Sequence, residues 1–334
     1  MRIASTVAAL TLALGLAGRA GANDSTAELA AGGLTLTRTA AIEMRAEDLY
    51  ISAKQVRVRY RFVNTTPRDV TVTVAFPMPD ITTQGFDDML AVPTDDPTNF
   101  LAFATVVDGR PVKAQLTQAV VKDGVDRTAY LRGLGLPLAP HLQTTGRALD
   151  RLPKARQDEL IRLGLAVADD YDAGKGMEHH LDATWTLKTT YFWRQTFPAG
   201  RAVAVEHRYT PAVGESAGTA WGSTGWPHDP AYAAARAHYC VDDRFIAAAE
   251  RARRPGEDSP RLTEQRIEYV LTTGANWKAP IGDFHMVVDK GAAANLVSFC
   301  GEGVRQTGPT TFEVRHADFT PKQDVSVLIL KPIP

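Results

Sequence analysis

Gln55-Val56-Arg57-Val58-Arg59-Tyr60-Arg61-Phe62-Val63 is the stretch that decides the fold class. Val56, Val58, Tyr60 and Phe62 fall on one side of an extended chain and Arg57, Arg59 and Arg61 on the other, because successive strand side chains point to opposite faces. A strand with one apolar and one charged face suits an antiparallel sheet packed on one side only. Asn64-Thr65-Thr66-Pro67-Arg68-Asp69 then carries turn chemistry, and Val70, Val72, Val74 and Phe76 repeat the alternation until Pro77 and Pro79 stop it. Two such strands across a short turn predict a β-hairpin.

Working outward, Leu34 to Thr37, Ile42 to Met44 and Leu49 to Ile51 read as short strands. Phe103 to Val107 and Val112 to Leu116 flank Asp108-Gly109, a strong hairpin signal. The period then changes. Arg127 to Leu134 and Pro153 to Tyr171 carry helical spacing, with Leu152, Leu160, Leu163 and Val167 as the apolar stripe of the second. Alternation returns at Trp185, Leu187, Thr189, Tyr191 and Trp193, and again at Val203, Val205, His207 and Tyr209 across Phe197-Pro198-Ala199-Gly200. Residues 214–230 are rich in Gly, Ser, Thr and Pro. A helical stretch from about Ala231 to Arg254 follows, and the remainder is again β, including Ile267 to Leu271, Phe284 to Val288, Leu296 to Phe299 and Val325 to Leu330.

These patterns predict a mainly β protein of two β-sandwich-like modules with helical inserts. Residues 23–213 form an N-terminal β-rich domain with a helical insert at about 123–175. Residues 214–230 form a boundary loop, and residues 231–334 a helical segment with a C-terminal β-rich module.

Residues 1–22 read as a signal peptide. Arg2 supplies a short positive start, Ile3 to Leu16 an apolar run and Ala20-Gly21-Ala22 a small-residue cleavage site. That apolar run is shorter than the roughly 20 residues that span a bilayer, and no later segment is apolar enough to cross one. The expected mature chain starts near Asn23 and is periplasmic or secreted. Loss of Arg2 and Arg19 takes the formal charge from −1 to −3, so no concentrated basic stripe marks a nucleic-acid partner. Arg251, Arg253 and Arg254 close a helical pattern, where cations suit the helix dipole. Cys240 and Cys300 are the 2 cysteines. In an oxidising compartment they are expected to pair, tying the helical segment to the C-terminal β module.

Several blocks carry a family likeness. They are Asn23 to Leu34, Val58 to Asn64, Ala75-Phe76-Pro77-Met78-Pro79-Asp80, Ile267 to Pro280 with Thr272-Thr273-Gly274-Ala275-Asn276-Trp277-Lys278, and Asn295 to Gly301. Over the whole mature chain the sequence resembles an exported bacterial family called domain of unknown function 4424. The resemblance implies export and a bacterial source but no activity. Residues 55–210 alone are similar to the vault/inter-α-trypsin type of β-sandwich, which implies a role in interaction.

Three constellations could carry chemistry. Gly214-Glu215-Ser216-Ala217-Gly218 matches the Gly-x-Ser-x-Gly elbow that exposes a nucleophile between a strand and a helix, but Gly222, Gly225 and Pro227 deny it the following helix. Glu178, His179 and His180 could supply metal ligands. Neighbouring histidines can chelate one ion only from a loop, since on a strand they point apart. A solvated loop before Trp185 is the plainer reading. Trp221 and Trp226, in the boundary loop, either dock on a neighbouring module or form an interaction surface. The sequence therefore favours a non-catalytic, cofactor-free binding protein whose partner is a protein or an envelope component. A serine hydrolase using Ser216 and a metal-binding protein using Glu178, His179 and His180 are the alternatives.

Overall fold

The structure is a computed structural model that describes residues 23–333 apart from 31–32, 84–88, 173 and 175. The signal peptide expected in residues 1–22 lies outside the described residues.

Two large sheets enclose the main core. One runs in the order Arg305–Gln306, Thr311–Phe319, Ile281–Asp289, Ile42–Ser52, Val56–Asn64, Ala202–Tyr209, Ala104–Val107, Arg110–Val112. The other runs Val125–Asp126, Gln115–Lys122, Thr186–Phe197, Val70–Pro77, Ser25–Ala30, Gly33–Thr37, with Ile81–Thr82 also paired to Thr186–Phe197. The alternation in Val56–Asn64 is realised as read: Val56, Val58, Tyr60 and Phe62 are buried, while Arg59 and Arg61 are exposed. Asp108-Gly109 turns the hairpin between Ala104–Val107 and Arg110–Val112, both residues taking positive φ of 48° and 77°.

The expected hairpin of residues 55–76 is instead a corner. Val56–Asn64 pairs with Ile42–Ser52 and Ala202–Tyr209 in one sheet, whereas Val70–Pro77 pairs with Thr186–Phe197 and Ser25–Ala30 in the other. Pro198-Ala199-Gly200 makes a second corner beside it. Asn64, wholly buried, brackets both: its amide donates to the Arg68 and Phe197 carbonyls at 2.7 and 2.8 Å, and its own carbonyl accepts from Gly200 N at 2.9 Å. The physical reason is that both strands carry an apolar face, and facing each other across the core buries both at once.

The Ile42 to Met44 and Leu49 to Ile51 pieces form one strand, Ile42–Ser52, with a register shift between Met44 and Ala46. Its other neighbour, Ile281–Asp289, runs parallel to it and lies beyond residues 214–230 in sequence. The segments on either side of the boundary loop therefore share a sheet and a core.

In the insert, helices span Thr128–Gly133, Gln143–Asp150 and Lys154–Arg162. The helix expected from Pro153 to Tyr171 stops early because Gly164 takes a left-handed turn with φ of 64°, and Ala166–Asp172 then pairs with Met177–Ala183. Trp185, wholly buried, donates from Nε1 to the Leu138 carbonyl at 2.8 Å and fastens the insert to the sandwich.

A third sheet runs Leu296–Phe299, Val325–Pro332, Leu262–Tyr269, Val213–Ser216, Met89–Ala91. Val325, Val327 and Ile329 face the main core, while Leu328 and Leu330 face a smaller one with Trp221, Val241, Phe245, Ala249 and Leu262. The helical stretch at 231–254 is two helices, Tyr232–Tyr239 and Asp243–Glu250. They break at Cys240, whose φ is 50°, and the Asp242 carboxylate restarts the second by accepting from Phe245 N at 2.7 Å.

Candidate functional site

The strand Val213–Ser216 opens the segment read as a boundary loop, and it pairs Gly214 with Arg266 and Ser216 with Glu264. A side chain at position 214 would sit 3.2 Å from Arg266 Nε and 3.6 Å from its Cβ. Glycine there lets the Arg266 side chain lie flat across the strand. Arg266 Nε is 3.7 Å from Glu264 Oε1, while Glu264 Oε2 accepts from Thr219 Oγ1 at 2.8 Å and Thr219 Oγ1 in turn accepts from Trp221 N at 3.2 Å. Burial pushes the Glu264 carboxyl above the usual carboxylate range.

Arg266 and Tyr239 form the shared wall of two cavities of about 240 and 410 Å³. The first is lined further by Asp80, Leu101, Tyr209 and Glu268, the second by Ser216, Thr219, Trp226 and Glu264. Glu268 Oε1 meets His238 Nε2 at 3.2 Å, a contact that raises the His238 pKa, and Glu268 Oε2 accepts from Ser326 Oγ at 2.5 Å. Two buried donors in these walls, the Tyr209 hydroxyl and Trp226 Nε1, have no hydrogen-bond partner among the described residues. The groove thus combines one guanidinium, carboxylates, aromatic rings and two unsatisfied donors, a set suited to holding a polar ligand.

The disulfide Cys240–Cys300 is present, with Cα atoms 5.0 Å apart. It joins the end of the Tyr232–Tyr239 helix to the end of the Leu296–Phe299 strand and so fixes Tyr239 in the groove wall. Trp221 is 3% exposed and packs edge-on to Trp226, with ring centroids 5.9 Å apart. Both loop tryptophans line the second cavity, Trp221 as a member of the smaller core and Trp226 packed against it.

Ser216 ends a strand rather than standing at a strand-to-helix turn, and no histidine hydrogen-bonds its hydroxyl among the described residues. A fluorophosphonate probe is expected to leave Ser216 unmodified, and Ser216→Ala to shift stability by less than about 0.5 kcal/mol, the scale of substitutions that break no buried contact. Stoichiometric labelling at Ser216, read by peptide mass spectrometry, would overturn this.

Glu178, His179 and His180 lie on the strand Met177–Ala183, not in a loop. His179 meets Asp170 at 2.9 Å, whereas both ring nitrogens of His180 are occupied, by Asp150 at 2.9 Å and Glu178 at 3.3 Å. Those carboxylates raise the His180 pKa and favour an imidazolium, which cannot ligate a metal. Among the described residues no group of three or more His, Cys, Asp or Glu is placed to hold a metal ion.

Sequence reasoning missed Arg266, Glu264 and Tyr239, and also a buried line of polar groups in the main core. Thr105 Oγ1 meets His207 Nδ1 at 3.0 Å, and His207 Nε2 meets Asp24 Oδ1 at 3.1 Å. The residue types match a nucleophile, base and acid, but His207 and Asp24 are wholly buried. Phe76, Trp193 and Phe103 rings close over the imidazole at centroid distances of 4.7, 5.3 and 5.2 Å. A substrate has no access, so the line is structural. The available signal was His207 on the inward face of an otherwise apolar strand.

The family model described as Domain of unknown function (DUF4424) matches residues 22–328. No curated protein matches the chain. Among solved structures, the chain is similar to a Legionella pneumophila protein provisionally described as a nutrient binding protein. The match has 15% identity and a TM-score of 0.42, and covers 92% of this chain and 70% of that one. A weaker similarity, with 8% identity and a TM-score of 0.18, is to the M1 zinc metallopeptidase of Deinococcus radiodurans, covering 88% of this chain and 43% of that one.

Proposed function

The chain belongs to the DUF4424 family, and on that premise we propose that it is an exported, non-catalytic binding protein of the bacterial cell envelope. The observation that carries this reading is the pair of cavities divided by Tyr239 and Arg266. An acidic group of the ligand meets the Arg266 guanidinium, and an apolar portion lies against Trp226 and Tyr239. Desolvated charge-assisted contacts of this kind fix orientation, while the rings supply buried area. The Cys240–Cys300 disulfide, of a kind that persists in oxidising compartments, points the same way. No helix among the described residues is long and apolar enough to cross a membrane.

Native mass spectrometry of protein released gently from the envelope tests the proposal. A bound mass is expected, and Arg266→Gln or Trp226→Ala should reduce its occupancy about tenfold, the loss of roughly 1.4 kcal/mol. Equal occupancy in both variants, or a complete absence of bound mass, would sink the assignment of this groove.

A further inference from the structure

The start of the described chain is buried in an environment whose charge does not balance. Asn23, Asp24 and Ser25 are wholly buried. Asn23 N donates to Thr273 Oγ1 at 2.8 Å, and the Asn23 side-chain amide donates to Glu47 Oε2 at 3.1 Å and to the Leu271 carbonyl at 3.3 Å. Trp277 Nε1 donates to the Asp24 carbonyl at 2.7 Å, and the Tyr60 and Tyr269 hydroxyls meet at 3.2 Å beside them. Glu47 is 1% exposed, and the groups acting on it are the neutral Asn23 amide and the Asp24 carboxyl, neither of them a cation. Asp24 has His207, but Asp24 Oδ2 and Asn23 Oδ1 are buried acceptors without a donor among the described residues. Of the two carboxylates, the His207 imidazole thus serves Asp24 alone, Glu47 has no cation acting on it, and two acceptors are unsatisfied.

The residue before Asn23 is Ala22, the last of the small-residue run Ala20-Gly21-Ala22. We infer that hydrolysis of the Ala22–Asn23 peptide bond completes this core, the freed α-ammonium of Asn23 becoming the buried counter-ion of Glu47. The inference rests on the signal-peptide reading and adds to it a structural role for the new terminus. Water, with a leader peptidase of the envelope as catalyst, breaks the carbon–nitrogen bond. Its oxygen becomes part of the Ala22 carboxylate, and its two protons convert the Asn23 N–H to NH₃⁺. The terminus thereby gains one positive charge and two N–H donors, in a place short of both. Before cleavage, burial pushes the Glu47 carboxyl up to about 8, the signature of a carboxylate without a mate. A cation alongside draws it back down, so folding consolidates after the leader is gone.

The test compares the protein exported and processed in its host with a form refolded under oxidising conditions that retains Gly21-Ala22 ahead of Asn23. Intact mass of the exported protein should show Asn23 as the first residue. At neutral pH the retained dipeptide should lower the melting temperature by about 5 °C or more, a large shift for a chain of this size. In a Glu47→Gln background the two forms should melt within about 1 °C of each other. Should Glu47→Gln not fold, acylation kinetics answer the same question. The native Asn23 α-amine should react at least about tenfold more slowly than in the denatured protein, because reaction requires local opening. A different first residue, equal melting of the two forms, or an α-amine as reactive as in the denatured chain would each overturn the inference.

Discussion

Replacing His207 with leucine is expected to destabilise the protein by about 3–5 kcal/mol, the cost of leaving a buried carboxyl group without its hydrogen-bonding partner. His207 Nε2 is the partner of Asp24 Oδ1 at 3.1 Å, and both side chains are wholly buried. Burial already raises the Asp24 pKa, and the attraction of His207 works against that rise. Without the imidazole the folded-state pKa climbs further above its unfolded value. A carboxyl with a raised folded pKa holds its proton in the native state while the unfolded chain releases it, so stability falls as pH rises above the unfolded value. The deficit of His207→Leu should therefore be larger at pH 7 than at pH 4, measured by urea denaturation at each. Adding Asp24→Asn should recover part of it. A His207→Leu protein within about 1 kcal/mol of the parent at pH 7 would show that the pair is not an energetic centre of the core.

Loss of the Cys240–Cys300 bridge should cost about 2–4 kcal/mol, the usual range for a native disulfide. The bridge spans a sequence separation of 60, long enough for the cross-link to restrict the unfolded chain substantially. Its effect should be regional first. The helices Tyr232–Tyr239 and Asp243–Glu250 rest on a core of only a few side chains, Trp221, Val241, Phe245 and Ala249 against Leu262, Leu328 and Leu330. Reduction should therefore red-shift the fluorescence of Trp221 as this layer opens, before the two large sheets unfold. Cys240→Ser/Cys300→Ser is the non-reducing control. An unchanged melting temperature with an unchanged emission maximum would mean that packing alone holds the layer.

The long core strands were legible because they carry a two-residue period that only an extended chain can satisfy, as in Val56, Val58, Tyr60 and Phe62. The pairing of Cys240 with Cys300 was legible too, since two thiols leave one intramolecular choice. Strand partners were not. Residues 55–76 have the alternation and turn of a hairpin, and the same local pattern serves a corner between layers equally well. The short strands Ala166–Asp172 and Met177–Ala183 were hidden for a related reason. Asp169, Asp170 and Asp172 are poor strand formers, and Val167, Tyr171 and Met177 remain exposed, so no buried face imposed a period.

The groove was invisible in the sequence because its parts are far apart along the chain: Tyr209, Tyr239, Arg266 and Glu268 meet only when Val213–Ser216 joins the third sheet. The sequence by itself determined the β character, the helical interruptions and the cysteine pair, all of which follow from local period, local turn chemistry or composition. Tertiary structure alone decided that segments on both sides of residues 214–230 share a sheet, that Asp24 lies against His207 and Glu47 against Asn23, and where the groove opens. The physical reason is range. A strand's period is set by neighbours one or two residues away, whereas the partner of a sheet edge or of a buried charge is set by burying the most apolar surface and leaving the fewest polar groups unpaired over the whole chain.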